Sequence, residues 1–138
     1  MPEVRPGSAS DLEAVAAIQA ASPEASQWDP ADYLAHEFLV AEVDGRVAGF
    51  LVARRLGERE SEILNLAVQP EFRRKRVARA LVKRWFQHAK GDIFLEVRES
   101  CAEALRFYQV IGFKPVGRRE AYYTSPPDGA IVLKFHSC

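Results

Sequence analysis

Leu64-Asn65-Leu66-Ala67-Val68-Gln69-Pro70-Glu71-Phe72-Arg73-Arg74-Lys75-Arg76-Val77-Ala78-Arg79-Ala80-Leu81 passes from a β-rich run through a proline stop and a basic loop into a helical pattern. The run Ser61–Val68 ends at Gln69-Pro70 because proline cannot donate to a ladder. Beyond the loop, Val77, Ala78, Leu81, Val82, Trp85 and Ala89 recur at helical spacing, and Lys90-Gly91 closes the pattern. Free amides at such a helix start attract anions, and cations in the same turn add attraction for phosphate. Five basic residues between Arg73 and Arg79 oppose the helix dipole, which favours acids there. A bound polyanion resolves that conflict; a solvated basic face is the competing reading.

Working downstream, Ile93–Arg98 reads as a strand, Ala102–Ile111 as a helix ended by Gly112, and Phe113–Tyr123 and Ala130–Phe135 as strands around a Ser125–Gly129 loop. Upstream, Phe38–Val43 and Arg46–Arg54 flank Asp44-Gly45, a strong hairpin signal. Glu3–Arg5 is a short strand. Ser10 or Asp11 caps a helix carrying Leu12, Val15, Ala16, Ile18, Gln19 and Ala20, and Asp29 caps a short one with Pro30 in its first position. The order β-α-α-β-β-β-α-β-α-β-β predicts an α/β fold, one mixed sheet with helices on both faces.

The 138 residues suit one domain, residues 1–138, with no linker or repeat. A composition 48% hydrophobic and 28% charged is wrong for disorder or a disulfide scaffold. Nineteen basic residues balance nineteen acidic ones, so a nucleic-acid partner is not expected, a local patch aside. Cys101 and Cys138 share no metal-ligand spacing with His36, His88 or His136, so no metal is expected. Neither a signal peptide nor an apolar run of about 18 residues is visible, which points to a cytoplasmic protein without a membrane partner.

Two further residues are candidates for chemistry. Glu96 lies in Leu95-Glu96-Val97-Arg98, a strand with mostly apolar neighbours. Such a carboxylate either pairs with Arg98 or another arginine, or is tuned for proton transfer. Tyr108, in Arg106-Phe107-Tyr108, is either core packing or a proton donor lining a cleft.

Taken together, the sequence resembles the GNAT superfamily of acyl-CoA-dependent N-acetyltransferases, most closely the RimI-type enzymes that acetylate the N-terminal alanine of a ribosomal protein. The resemblance rests on Asn65–Arg73, Leu95–Ser100, Ala104–Tyr108 with Gly112-Phe113, and Gly117-Arg118-Arg119 with Tyr122-Tyr123, and extends to Trp28 and Asp44-Gly45. It implies that the backbone of Leu66, Ala67 and Val68 pairs with the pantetheine arm of acetyl-CoA, with an N–H there, that of Val68, polarising the thioester carbonyl. It places the diphosphate on Arg74, Lys75, Arg76, Val77, Ala78 and Arg79, with Arg73 among the cofactor-binding residues. Glu96 becomes the general base and Tyr108 the general acid. Tyr122 and Tyr123 match a pair near the acceptor groove, with ordinary strand packing as the equal alternative.

Two positions depart from the family. The loop pattern Gln/Arg-x-x-Gly-x-Gly/Ala has Arg76 at its first glycine. A left-handed backbone there costs about 1–2 kcal/mol, whereas a negative φ lets the side chain turn outward; tolerance is the favoured expectation. Cys101 stands where the family has an asparagine touching the cofactor arm, and cysteine is a weak substitute. Three functions follow: acetylation of a protein N-terminus, acetylation of a small-molecule amine, or a catalytically weak CoA- or nucleotide-binding module.

Overall fold

The computed structural model describes residues 2–23, 25–124 and 127–137; the side chains of 121, 123, 124, 127 and 137 lie outside the description. Among the described residues, seven strands and three α-helices follow one another as β1 (Glu3–Pro6), α1 (Leu12–Ala20), β2 (Glu37–Val43), β3 (Arg46–Gly57), β4 (Glu60–Val68), α2 (Val77–His88), β5 (Gly91–Arg98), α3 (Ala102–Val110), β6 (Lys114–Thr124) and β7 (Pro127–Ser137). Short 3-10 segments occupy Ala9–Asp11, Pro30–Ala35 and Pro70–Phe72. No helix among the described residues is long and apolar enough to cross a membrane.

The chain divides into two compact units, residues 1–54 with 63–88 and residues 55–62 with 89–138. In the first, β1 pairs antiparallel with β2 and β2 with β3. Asp44 and Gly45 both take positive φ, 52° and 77°, the combination that a two-residue turn needs to match strand twist. Along β4 burial alternates, and Ile63, Asn65 and Ala67 face inward. Val15 and Ile18 of α1 pack with Tyr33, Phe38, Val40, Phe50, Val52 and Ala67 into one apolar cluster. Leu81, Val82 and Trp85 bury one stripe of α2, and Arg84 Nη1 donates to Val4 O at 3.1 Å.

In the second unit β7 lies between β5 and β6, antiparallel to both. Ile93, Leu95 and Val97 form the buried face of β5, and Tyr108 and Phe113 meet edge to face at 5.5 Å between centroids.

Three expectations need correction. The segment after Asp29 is a six-residue 3-10 turn, not an α-helix, although Asp29 caps it as anticipated by accepting from Ala31 N at 3.0 Å. Strand β3 continues past Arg54 to Gly57 with its end exposed. The proposed Ser125–Gly129 loop is shorter: Tyr123 is already paired with Asp128 and Thr124 with Pro127, while 125 and 126 lie outside the described residues.

Candidate active site

In the first unit the end of β4 is built for close approach. A Cβ on Gly49 would lie 2.9 Å from Ala67 O and 3.0 Å from Val77 Cγ1, so only glycine lets β3 come this near to the Leu66–Val68 backbone. Asn65 is buried, and its Oδ1 accepts from Leu66 N at 3.1 Å. Its Nδ2 faces Ser26 O and Tyr33 Oη at 3.0 Å each and Gln19 Oε1 at 3.2 Å. Tyr33 Oη also donates to Gln19 Oε1, and Gln19 Nε2 donates to Trp28 O at 2.6 Å. Asn65 and Gln19 were visible only as members of longer motifs; the signal for the network is an amide on the inward phase of an apolar strand.

The strand then turns into the loop as expected. Arg73 has extended backbone, and its side chain bonds to Val68 O and Ser22 Oγ. Arg74 and Arg76 both adopt left-handed φ, 65° and 62°. Alternation of this kind turns successive N–H groups into an anion-binding concavity. Val77 is buried, and Ala78 and Arg79 continue the first turn of α2, which contains no acidic residue. The sequence-predicted phosphate residues are thus contiguous around one helix start that carries only positive charge, chemistry that suits a diphosphate.

The strained alternative at Arg76 is therefore the one observed. Arg76→Gly is expected to raise stability by about 1 kcal/mol, whereas Arg76→Ala, which keeps a Cβ at positive φ, gains nothing. Chemical denaturation of the two variants checks this; equal midpoints overturn it.

The second unit holds the titratable cluster. Glu96 is on β5, with its side chain 11% exposed, and Arg119 Nε lies 3.2 Å from its Oε1. Arg119 also sits 5.2 Å above the Tyr122 ring. Partial burial, followed by the bond to Glu96, raises the Tyr122 hydroxyl above the usual phenol range. Arg119 is thus a cation paired with Glu96, the arginine pairing that the sequence left open. Tyr108 is 8% exposed and sits edge-on to Phe107 as well as Phe113. Cys101 starts α3 as a free thiol without a side-chain cap bond, its N–H donating to Arg98 O at 2.9 Å. The turn before it is fixed by Ser100 Oγ on Asp128 Oδ2 at 2.5 Å and by Arg118 between Glu99 and Glu120. The side chain of Tyr123 lies outside the described residues.

Residues 10–113 match the model of the acetyltransferase (GNAT) family. The chain belongs to the GNAT family. This GNAT enzyme is 31% identical over 106 residues to the N-alpha-acetyltransferase RimI of Mycobacterium tuberculosis, an alignment covering 70% of this chain and 67% of the relative. Among solved structures, Ard1 from Thermoplasma volcanium superposes with a TM-score of 0.86 at 30% identity, covering 96% and 95% of the two chains. The ribosomal-protein-S18-alanine N-acetyltransferase from Escherichia coli superposes with a TM-score of 0.85 at 23% identity, covering 99% and 94%, which establishes the shared fold. The chain is accordingly an acetyl-CoA-dependent N-acetyltransferase with the GNAT fold, the mixed seven-stranded α/β architecture read from the sequence.

Proposed function

We propose that this GNAT domain, residues 1–138, acetylates the N-terminal amine of a protein, an alanine in the RimI manner, as a cytoplasmic enzyme. The observation that carries the reading is Glu96: a nearly buried carboxylate on β5, held by Arg119 and bonded to Tyr122. The RimI-type relatives support the acceptor class. Leu66–Val68 would grip the thioester arm, the Val68 N–H facing its carbonyl oxygen, with Cys101 beside the arm and Arg74–Arg79 around the diphosphate. Tyr122 and Tyr123 would line the acceptor.

The chemistry needs no covalent enzyme intermediate. The amine nitrogen bonds to the acetyl carbon as Glu96 takes its proton, directly or through water; the carbon–sulfur bond then breaks, and Tyr108 protonates the departing thiolate. An N-terminal amine of pKa near 8 is mostly protonated at neutral pH, so a nearby base matters.

Incubation with acetyl-CoA and peptides beginning with alanine, serine or methionine, beside polyamines and free amino acids, tests the reading by CoA release. Alanine-starting peptides are expected to be consumed fastest. Faster consumption of a small amine moves the acceptor to the small-molecule class, and CoA binding without release across the panel supports a binding module.

A further inference from the structure

The guanidinium of Arg73 turns back toward the end of β4 and the segment after α1. Its Nε donates to Val68 O at 3.3 Å, and its Nη2 donates to Ser22 Oγ at 3.2 Å. We infer that Arg73 is a positioning residue for acetyl transfer, acting through the Val68 carbonyl and the Ser22 hydroxyl rather than as a phosphate cation. The inference rests on the proposed role of Leu66–Val68 in holding the thioester.

The first arm sets the strand end. The peptide between Val68 and Gln69 is held on both sides, because Gln69 N donates to Ala48 O at 2.7 Å while its carbonyl takes the bond from Arg73. Fixing that plane limits rotation about Val68, the residue whose own N–H faces the thioester oxygen in the proposed mechanism. A donor misaimed there loses transition-state stabilisation without losing much ground-state binding. The second arm sets the segment after α1. Ser22 is 1% exposed; its N–H donates to Gln19 O at 3.0 Å, and its carbonyl accepts from Ala25 N at 2.9 Å and Gln27 Nε2 at 3.1 Å. This turn leads to Trp28, whose indole is exposed and whose carbonyl accepts from Gln19 Nε2. A planar fork holds Nε and Nη2 toward the two acceptors in one fixed geometry, whereas the rotatable donors of an ammonium on a flexible stem are not pre-organised for both.

That difference separates geometry from charge. Arg73→Lys keeps the charge and loses the fork, Arg73→Met loses both, and Ser22→Ala removes one acceptor while leaving the loop intact. With the amine that the wild type consumes, both Arg73 variants are expected to lose at least tenfold in kcat at saturating acetyl-CoA. Arg73→Lys keeps its calorimetric Kd for CoA within threefold, and Ser22→Ala raises the acceptor KM about threefold at unchanged kcat. Recovery of kcat to within twofold in Arg73→Lys, or a tenfold loss of CoA affinity in Arg73→Met at unchanged kcat, overturns the inference, as does an unaltered acceptor KM in Ser22→Ala. A wild type that binds no CoA brings down the cofactor reading instead, whereas a wild type that binds and turns over equally with its variants brings down only the role of Arg73.

Discussion

Glu96→Gln is expected to lower kcat about 100-fold at pH 7 while leaving the Kd for CoA unchanged, a barrier change of about 2.7 kcal/mol. The amide keeps the shape of the side chain on β5 but cannot take the amine's proton. The variant therefore depends on acceptor that is already deprotonated, about a tenth of an amine of pKa near 8 at neutral pH. Its rate should climb more steeply than the wild type's between pH 7 and pH 9. Tyr108→Phe should lose about tenfold in kcat, less than the base variant, because a thiolate of pKa near 8.5 is already a tolerable leaving group. Phenylalanine preserves the edge contacts with Phe107 and Phe113, so a pure packing role predicts no change in rate. Turnover within threefold of the wild type in both variants removes their assigned roles.

Helical periodicity, β-rich runs and turn residues together made most of the fold legible. β-rich runs bounded by turn and proline signals located β2, β3 and β4, helical spacing located α2, and Asp44-Gly45 located a turn whose two positive φ angles need those residue types. The end of β3 was not legible, because beyond Ala53 its side chains are exposed and carry no apolar phase. The partner of Glu96 was hidden by topology. Glu96 is registered with Val132 on β7, and Arg119 on β6 with Ala130, so the arginine reaches a carboxylate two strands away. The backbone sign at Arg76 was open in the sequence, since arginine favours negative φ and only the folded loop forces it positive. Arg73 was read for its charge, and charge does not reveal that its donors point at Val68 and Ser22.

Asn65→Leu is expected to cost about 3 kcal/mol of stability and roughly 10 °C in Tm, although leucine has the same number and branching of side-chain heavy atoms as asparagine and better strand chemistry. The loss comes from what the amide leaves behind: the Leu66 N–H loses the acceptor at 3.1 Å, and Ser26 O loses its donor at 3.0 Å. Unpaired groups of this kind cost about 1–3 kcal/mol each when they stay dry. Asn65→Asp separates the amide's donor role from its shape. An ionised carboxylate would face Ser26 O and Gln19 Oε1, both acceptors, so folding should hold its proton and raise its pKa above the unfolded value near 3.9. A folded state that binds the extra proton loses stability as pH rises. The Asp variant should therefore approach the wild type near pH 4 and fall progressively below it toward pH 7, whereas the Leu variant's deficit should not depend on pH over that range. Urea denaturation at the two pH values reads both effects, and midpoints equal to the wild type's would mean that water replaces the amide and the Gln19–Tyr33–Asn65 network does not anchor β4. Because Asn65 immediately precedes Leu66–Val68, the Leu variant should also lose kcat at temperatures where it remains folded, which ties the packing of α1 on β4 to the geometry of the proposed thioester grip.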